Sequence, residues 1–269
     1  MVKKLLKHEM IAYSRTMLII EAIVLGFALI ARFVWAFEND SVSYSIVSVS
    51  SITAFVISII VCLVYTFVVA ITRYYKNLFG REGYLSFTLP VTVGQHIISK
   101  LLIALLYCVI SLVTVVVALM IAGAGAPTVE VFKAIFYLAE RYFEIFKTNG
   151  VFYILEVIIA VIAIFASEFL KYYACISIGQ MAKKNRVLAA FGAYFGYYII
   201  CQVIGTIFII FMTSNFALTL IEAMMEFANK HPFATVHIVI SGVAVLYALL
   251  SVVYYFVSYF IAKHKLNLE

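Results

Sequence analysis

The chain has 269 residues, of which 66% are apolar and 12% charged. A soluble domain carries about 25% charged residues, so a water-soluble fold of this length would expose apolar surface that no core of its size can hide, and a bilayer removes that conflict. The net charge of +6 is no nucleic-acid footprint, because the basic residues sit in short clusters between apolar runs.

These features predict an all-α membrane protein, a single transmembrane domain over residues 1–269 with six transmembrane helices. No polar stretch is long enough to fold as a separate soluble domain.

The chain opens MVKKLLKHEM, in which Leu6, Met10, Tyr13 and Met17 form one stripe and Lys3, Lys4, Lys7 and His8 lie away from it. Residues 1–16 therefore read as an amphipathic helix on the membrane surface. The segment resembles a signal peptide, but the apolar run continues to Phe37 without a small-residue cleavage site, so it is expected to be retained. The first span is placed at about 17–37. Glu21 and Arg32 fall near its ends, where long side chains are expected to snorkel to water.

The second span, about 46–71, carries a stripe of Ser48, Ser51, Ser58, Cys62 and Tyr65, with Phe55 between them. The spacing of three and four puts these on one helix face, suited to close helix packing or to lining a pathway. Next comes the segment Arg73 to Lys100, RYYKNLFGREGYLSFTLPVTVGQHIISK. Gly80 suits a helix C-terminus. Arg81 to Leu89 reads as a short helix ended by Pro90, and Thr92 with Gln95 is a capping-box signature opening the third span at about 97–122.

After the third span, Phe132, Phe136, Tyr142, Phe143 and Phe146 face one way, while Glu130 with Lys133 and Glu144 with Lys147 are spaced as (i, i+3) ion pairs on another face. This reads as an amphipathic helix at the outer surface. The fourth span, about 151–180, contains Glu156, Glu168 and Lys171. Glu156, near its outer end, is expected to reach water, whereas Glu168 and Lys171 share a mid-span face and can neutralise each other. That pair fits either burial between helices or a polar point on a substrate path. The fifth span, about 187–213, holds Gly192-x-x-x-Gly196, Tyr197, Tyr198, Gln202 and Thr206. A third amphipathic segment sets Leu220, Met224 and Ala228 against Glu222, Glu226 and Asn229, and the sixth span covers about 234–262.

Pro90, Pro127 and Pro232 all lie between spans, where they break no helix interior. Cys62, Cys108, Cys175 and Cys201 lie in apolar runs without C-x-x-C or C/H metal spacing, so they read as small hydrophobes and no metal site is expected. Lys3, Lys4, Lys7 and Arg15, then Arg73, Lys76, Arg81 and Lys100, then Lys183, Lys184 and Arg186, and finally Lys263 and Lys265 alternate with acid-rich segments. That bias places both termini in the cytoplasm of a multi-pass cell-membrane protein.

The segment Gly80-Arg81-Glu82-Gly83-Tyr84-Leu85-Ser86-Phe87-Thr88-Leu89-Pro90-Val91, together with Ile176-Ser177-Ile178-Gly179-Gln180 ahead of Lys183-Lys184, resembles the membrane subunit of an ABC transporter of the ABC-2, type V exporter-like class. The second stretch is also similar to small six-span permeases of clostridial type. The topology match covers the chain, while the sequence match covers about a tenth of it.

The resemblance implies an elbow helix at 1–16 and a coupling segment at 73–96, in which Arg81, Glu82, Tyr84, Leu85 and Phe87 contact an ATPase. It also implies a second permease, as a homodimer or a sister chain, and separate ATPase subunits that bind ATP and Mg. Membrane lipid is the remaining partner, and nucleic acid is not one. No G-x-x-x-x-G-K-[ST] loop occurs here, so the chain is expected to be a transport subunit rather than an enzyme.

Candidate pathway or packing residues are Ser51, Phe55, Ser58, Tyr65, Glu168, Lys171, Tyr198 and Gln202. The aromatic, weakly charged spans suit an amphipathic peptide or a lipid as cargo. An intramembrane enzyme is disfavoured by the absence of H-E-x-x-H and Gly-x-Ser-x-Gly. A secondary transporter, which would want broken helices, and a non-transporting scaffold are the alternatives.

Overall fold

The computed structural model of the protein describes residues 2–37, 41–80, 83, 90–124, 126–147 and 149–264. Among them the chain is all-α, with eight helices: α1 (Val2–Ala36), α2 (Val42–Phe79), α3 (Val93–Ala122), α4 (Ala126–Phe146), α5 (Asn149–Gly179), α6 (Arg186–Met212), α7 (Asn215–Lys230) and α8 (Pro232–His264). Six of them, α1, α2, α3, α5, α6 and α8, are long and apolar enough to cross a membrane. A helix meets all its backbone hydrogen-bond needs internally, which is what lipid demands.

The termini of these helices follow local chemistry. Thr92 accepts from the Gln95 N–H at 3.4 Å and the Thr92 N–H donates to Gln95 Oε1 at 3.1 Å, completing the expected capping box of α3. α2 stops at Gly80, whose N–H reaches the carbonyls of Tyr75 and Lys76. A Cβ there would lie 2.6 Å from the Lys76 carbonyl oxygen, so the stop requires glycine. Pro232 is the first residue of α8, where its missing N–H costs nothing.

Two expectations change. The surface helix at 1–16 and the first span form one unbroken helix, because no Gly or Pro lies between Met10 and Ile20 to end a turn. In α4, Glu144 meets Arg141 at 3.1 Å, one turn earlier in the chain. Lys147 is instead the residue after the helix, with a positive φ of 49°.

The chain divides into two compact units. The first comprises Met1–Tyr74 and Pro90–Gly150. Within it α1 packs along α3, and two apolar layers form. One contains Tyr13, Met17, Val69, Ile103 and Tyr107. The other contains Val24, Ala28, Ala31, Phe55, Cys62, Ala118 and Ala122, and its alanines let helix backbones approach closely. At the end of this unit, Tyr142, Phe143 and Phe146 of α4 close over Gly150, whose carbonyl accepts from the Tyr142 hydroxyl at 2.9 Å.

The second unit comprises Tyr75–Leu89 and Val151–Glu269. Gly179, at the end of α5, touches α6 so closely that a Cβ would sit 2.5 Å from the Ala190 nitrogen. Farther along, the Tyr197 and Tyr254 hydroxyls join α6 to α8 at 2.6 Å. Gly192 and Gly196 of α6 have open space where a Cβ would project, so within this unit, among the described residues, the G-x-x-x-G brings no other helix close.

Candidate functional site

The strongest concentration of buried charge lies where the N-terminal part of α1 meets the C-terminal part of α2 and the start of α3. Glu9 is 3% exposed and Lys100 is 2% exposed. Glu9 Oε1 accepts from Lys100 Nζ at 2.5 Å, and Oε2 accepts from Arg73 Nη2 at 3.1 Å. One carboxylate thus bridges two cations that are far apart in sequence, with charge-assisted bonds from both.

The triad is framed by rings. The Arg73 guanidinium sits 5.0 Å from the centre of Tyr13, a cation–π distance. Tyr13 in turn stacks on Tyr107 at 5.2 Å. The Tyr107 hydroxyl donates to the Met10 carbonyl at 3.2 Å. Helix geometry explains the assembly. Glu9 and Tyr13 are four residues apart on α1, so one face of that helix presents both the carboxylate and the ring.

Arg73 and Lys100 flank the segment expected to couple to an ATPase. Arg81, Glu82, Tyr84, Leu85 and Phe87 lie outside the described residues. Gly83, between them, is described, and its N–H donates to the Gly80 carbonyl at 2.9 Å.

The α2 stripe forms that helix's packing face, with Phe55, Ser58 and Cys62 buried and Ser51 and Tyr65 half-buried. The serine hydroxyls turn back on their own helix, Ser51 to the Ser48 carbonyl at 2.9 Å and Ser58 to the Phe55 carbonyl at 2.7 Å. Their polarity is therefore spent locally, as packed membrane helices require.

A second polar centre lies in the other unit. Glu168 Oε2 and Lys171 Nζ are 2.6 Å apart, as their spacing predicted. Tyr172 and Tyr197 rings stand 5.4 and 5.8 Å from the ammonium, and Tyr172 stacks on Tyr194 at 5.5 Å. The pair is thus fenced by tyrosines, while Tyr198 and Gln202 lie exposed on α6. Cys62, Cys108 and Cys175 are buried, as expected of small hydrophobes, whereas Cys201 is exposed.

One of the carboxyls in the apolar helices, Glu21, sits differently from expectation. Glu21 does not snorkel. It is 6% exposed, because it faces the packed side of α1 between Met17 and Val24. Glu156 meets His237 of α8, whose Nδ1 lies 2.9 and 2.8 Å from its two oxygens. His237 also stacks on Tyr153 at 4.0 Å. Sequence reasoning missed Glu9 altogether. Its one available signal was an acidic residue within a lysine-rich amphipathic stretch, on the apolar side of the stripe.

The fold and its buried charge define the class: a helical chain whose six long apolar helices fit a multi-pass membrane protein. Comparison with protein-family models, with curated proteins and with solved structures finds no match.

Proposed function

We propose that this chain is the membrane-spanning permease subunit of an ATP-driven exporter of ABC-2 type. It works with a second permease, as a homodimer or a sister chain, and with separate ATPase subunits that bind ATP and Mg. In this reading both termini and the segment 73–96 face the cytoplasm, and Arg81 to Leu89 docks on the ATPase through Tyr84, Leu85 and Phe87.

The observation that carries the reading is the Glu9–Arg73–Lys100 triad. It clamps the two ends of the docking segment to α1. A displacement of that segment is then passed to three helices together rather than absorbed by a slack loop, which is what coupling to a motor requires. Lipid or an amphipathic peptide is the cargo class that the aromatic, weakly charged spans suit.

The test is co-purification. Tyr84→Ala with Phe87→Ala is expected to leave the protein inserted but to release the ATPase and abolish transport-stimulated ATP hydrolysis, since aromatic anchors carry much of the energy of such contacts. A double variant with a full complement of ATPase and normal turnover overturns the reading.

A further inference from the structure

Glu21 lies on α1 at the junction of the two apolar layers of the first unit, one turn beyond Met17 and one turn before Val24. It is buried, and its Oε1 makes no hydrogen bond. Beside it on the packed faces are Cys62 of α2 and Tyr107 and Ser111 of α3, all buried. No Lys, Arg or His is among them. Of the basic residues on these helices that are buried or half-buried, Arg73 and Lys100 are committed to Glu9, Arg32 lies eleven residues farther along α1, about 16 Å of helix, and His96 lies on the first turn of α3, four residues before Lys100. Glu9 is twelve residues back on α1, which is about 18 Å of helix. An ionised carboxylate at Glu21 would have neither water nor a counter-charge, and such a group neutralises instead.

Counting hydroxyl protons leads to the same place. Thr66 donates its proton to the Cys62 carbonyl at 2.9 Å. The Thr66 and Ser111 hydroxyls are also 2.9 Å apart, and with the Thr66 proton spent, Ser111 must be the donor between them. A hydroxyl has one proton to give. Towards Glu21, therefore, Ser111 has only lone pairs left, and a bond between the two needs the proton to be on the carboxyl.

We propose that Glu21 is a proton-binding site within the membrane domain, and that α1, α2 and α3 pack as observed only while its carboxyl is neutral and donates to Ser111. The relay then runs from Glu21 to Ser111 to Thr66 to the Cys62 carbonyl. Loss of the proton to water leaves a bare carboxylate between the Met17 and Val24 layers. The charge is then satisfied only if water enters, so α1 must part from α2 and α3. Glu21 thereby links protonation to opening of the first unit, independently of whether an ATPase drives the chain.

The test uses the full-length protein in lipid nanodiscs. Infrared spectra at neutral pH are expected to show a protonated carboxyl C=O band that is lost in Glu21→Gln. In Ser111→Ala, which keeps the carboxyl, the band is expected to shift without disappearing. Raising the pH should abolish the band and make Cys62 several-fold more reactive towards a thiol reagent than in Glu21→Gln at the same pH, with no difference between the two at acid pH. The absence of a Glu21-dependent band at neutral pH overturns the proposal. So does a band that disappears on adding sodium at fixed pH, which would make the site a cation site. Should Glu21→Gln fail to fold, the Ser111→Ala shift decides alone, and an unshifted band counts against the relay.

Discussion

Glu9→Gln takes the carboxylate away from both Lys100 and Arg73 while keeping the side chain's size. The two bonds are unequal. The Lys100 side chain is 2% exposed, so water cannot replace its partner, and breaking such a buried pair costs about 3–5 kcal/mol. The Arg73 side chain is 21% exposed, and its share is screened towards the roughly 0–1 kcal/mol of a surface pair. Glu9→Gln is therefore expected to destabilise the fold by about 3–5 kcal/mol, a large part of a typical stability. Arg73→Gln should cost about 1 kcal/mol or less. The double change Glu9→Gln, Lys100→Met should cost less than Glu9→Gln alone, because it removes the stranded ammonium together with its partner. Thermal unfolding in detergent can be followed by the reaction of Cys62, Cys108 and Cys175, which are buried, with a fluorogenic thiol reagent, after the exposed Cys201 is changed to Ser. Equal losses for Glu9→Gln and Arg73→Gln, or a double variant weaker than Glu9→Gln, would refute the account of a buried, Lys100-dominated triad.

The glycines of α5 and α6 give opposite expectations. Gly179→Ala drives a Cβ to 2.5 Å from Ala190 N and should cost about 1–3 kcal/mol, whereas Gly192→Ala meets nothing within 4 Å and should be neutral or slightly stabilising in the same unfolding assay. Glu168→Gln alone should lower yield more than Glu168→Gln with Lys171→Met, as judged by size-exclusion recovery. The gap should be smaller than at Glu9, because the Glu168 side chain is 35% exposed. For topology, a cysteine at Lys184 should be labelled only from the cytoplasm and one at Asn149 only from outside, and labelling of both from one side contradicts the orientation. Lys184 is preferred to Asn185, whose φ of 52° is costly for any other non-glycine residue.

Much of the architecture is a local property and so was legible along the chain. Whether a stretch is long and apolar enough to cross a bilayer depends on the transfer of its own side chains. The capping box at Thr92 and Gln95, the stop at Gly80 and the Glu168–Lys171 pair each involve residues within five positions of one another. Helical periodicity alone brings such residues together. The packing face of α2 was legible for the same reason, since Phe55, Ser58 and Cys62 recur at spacings of three and four.

What composition could not reveal are the meetings between helices. Lys100 reaches Glu9 across 91 residues, Arg73 across 64, and His237 reaches Glu156 across 81. Nothing in the flanking residues of any of these side chains names its partner. Glu21 shows the limit most plainly. Along the chain it is one acidic residue near the edge of an apolar run, for which snorkelling is the cheap solution. In the fold α1 continues for about five turns before it, so the residue is no longer near an end, and α2 and α3 pack on the face it occupies. Hydropathy is a sum over one segment, whereas burial depends on which face the neighbouring helices choose, and that choice belongs to the tertiary structure.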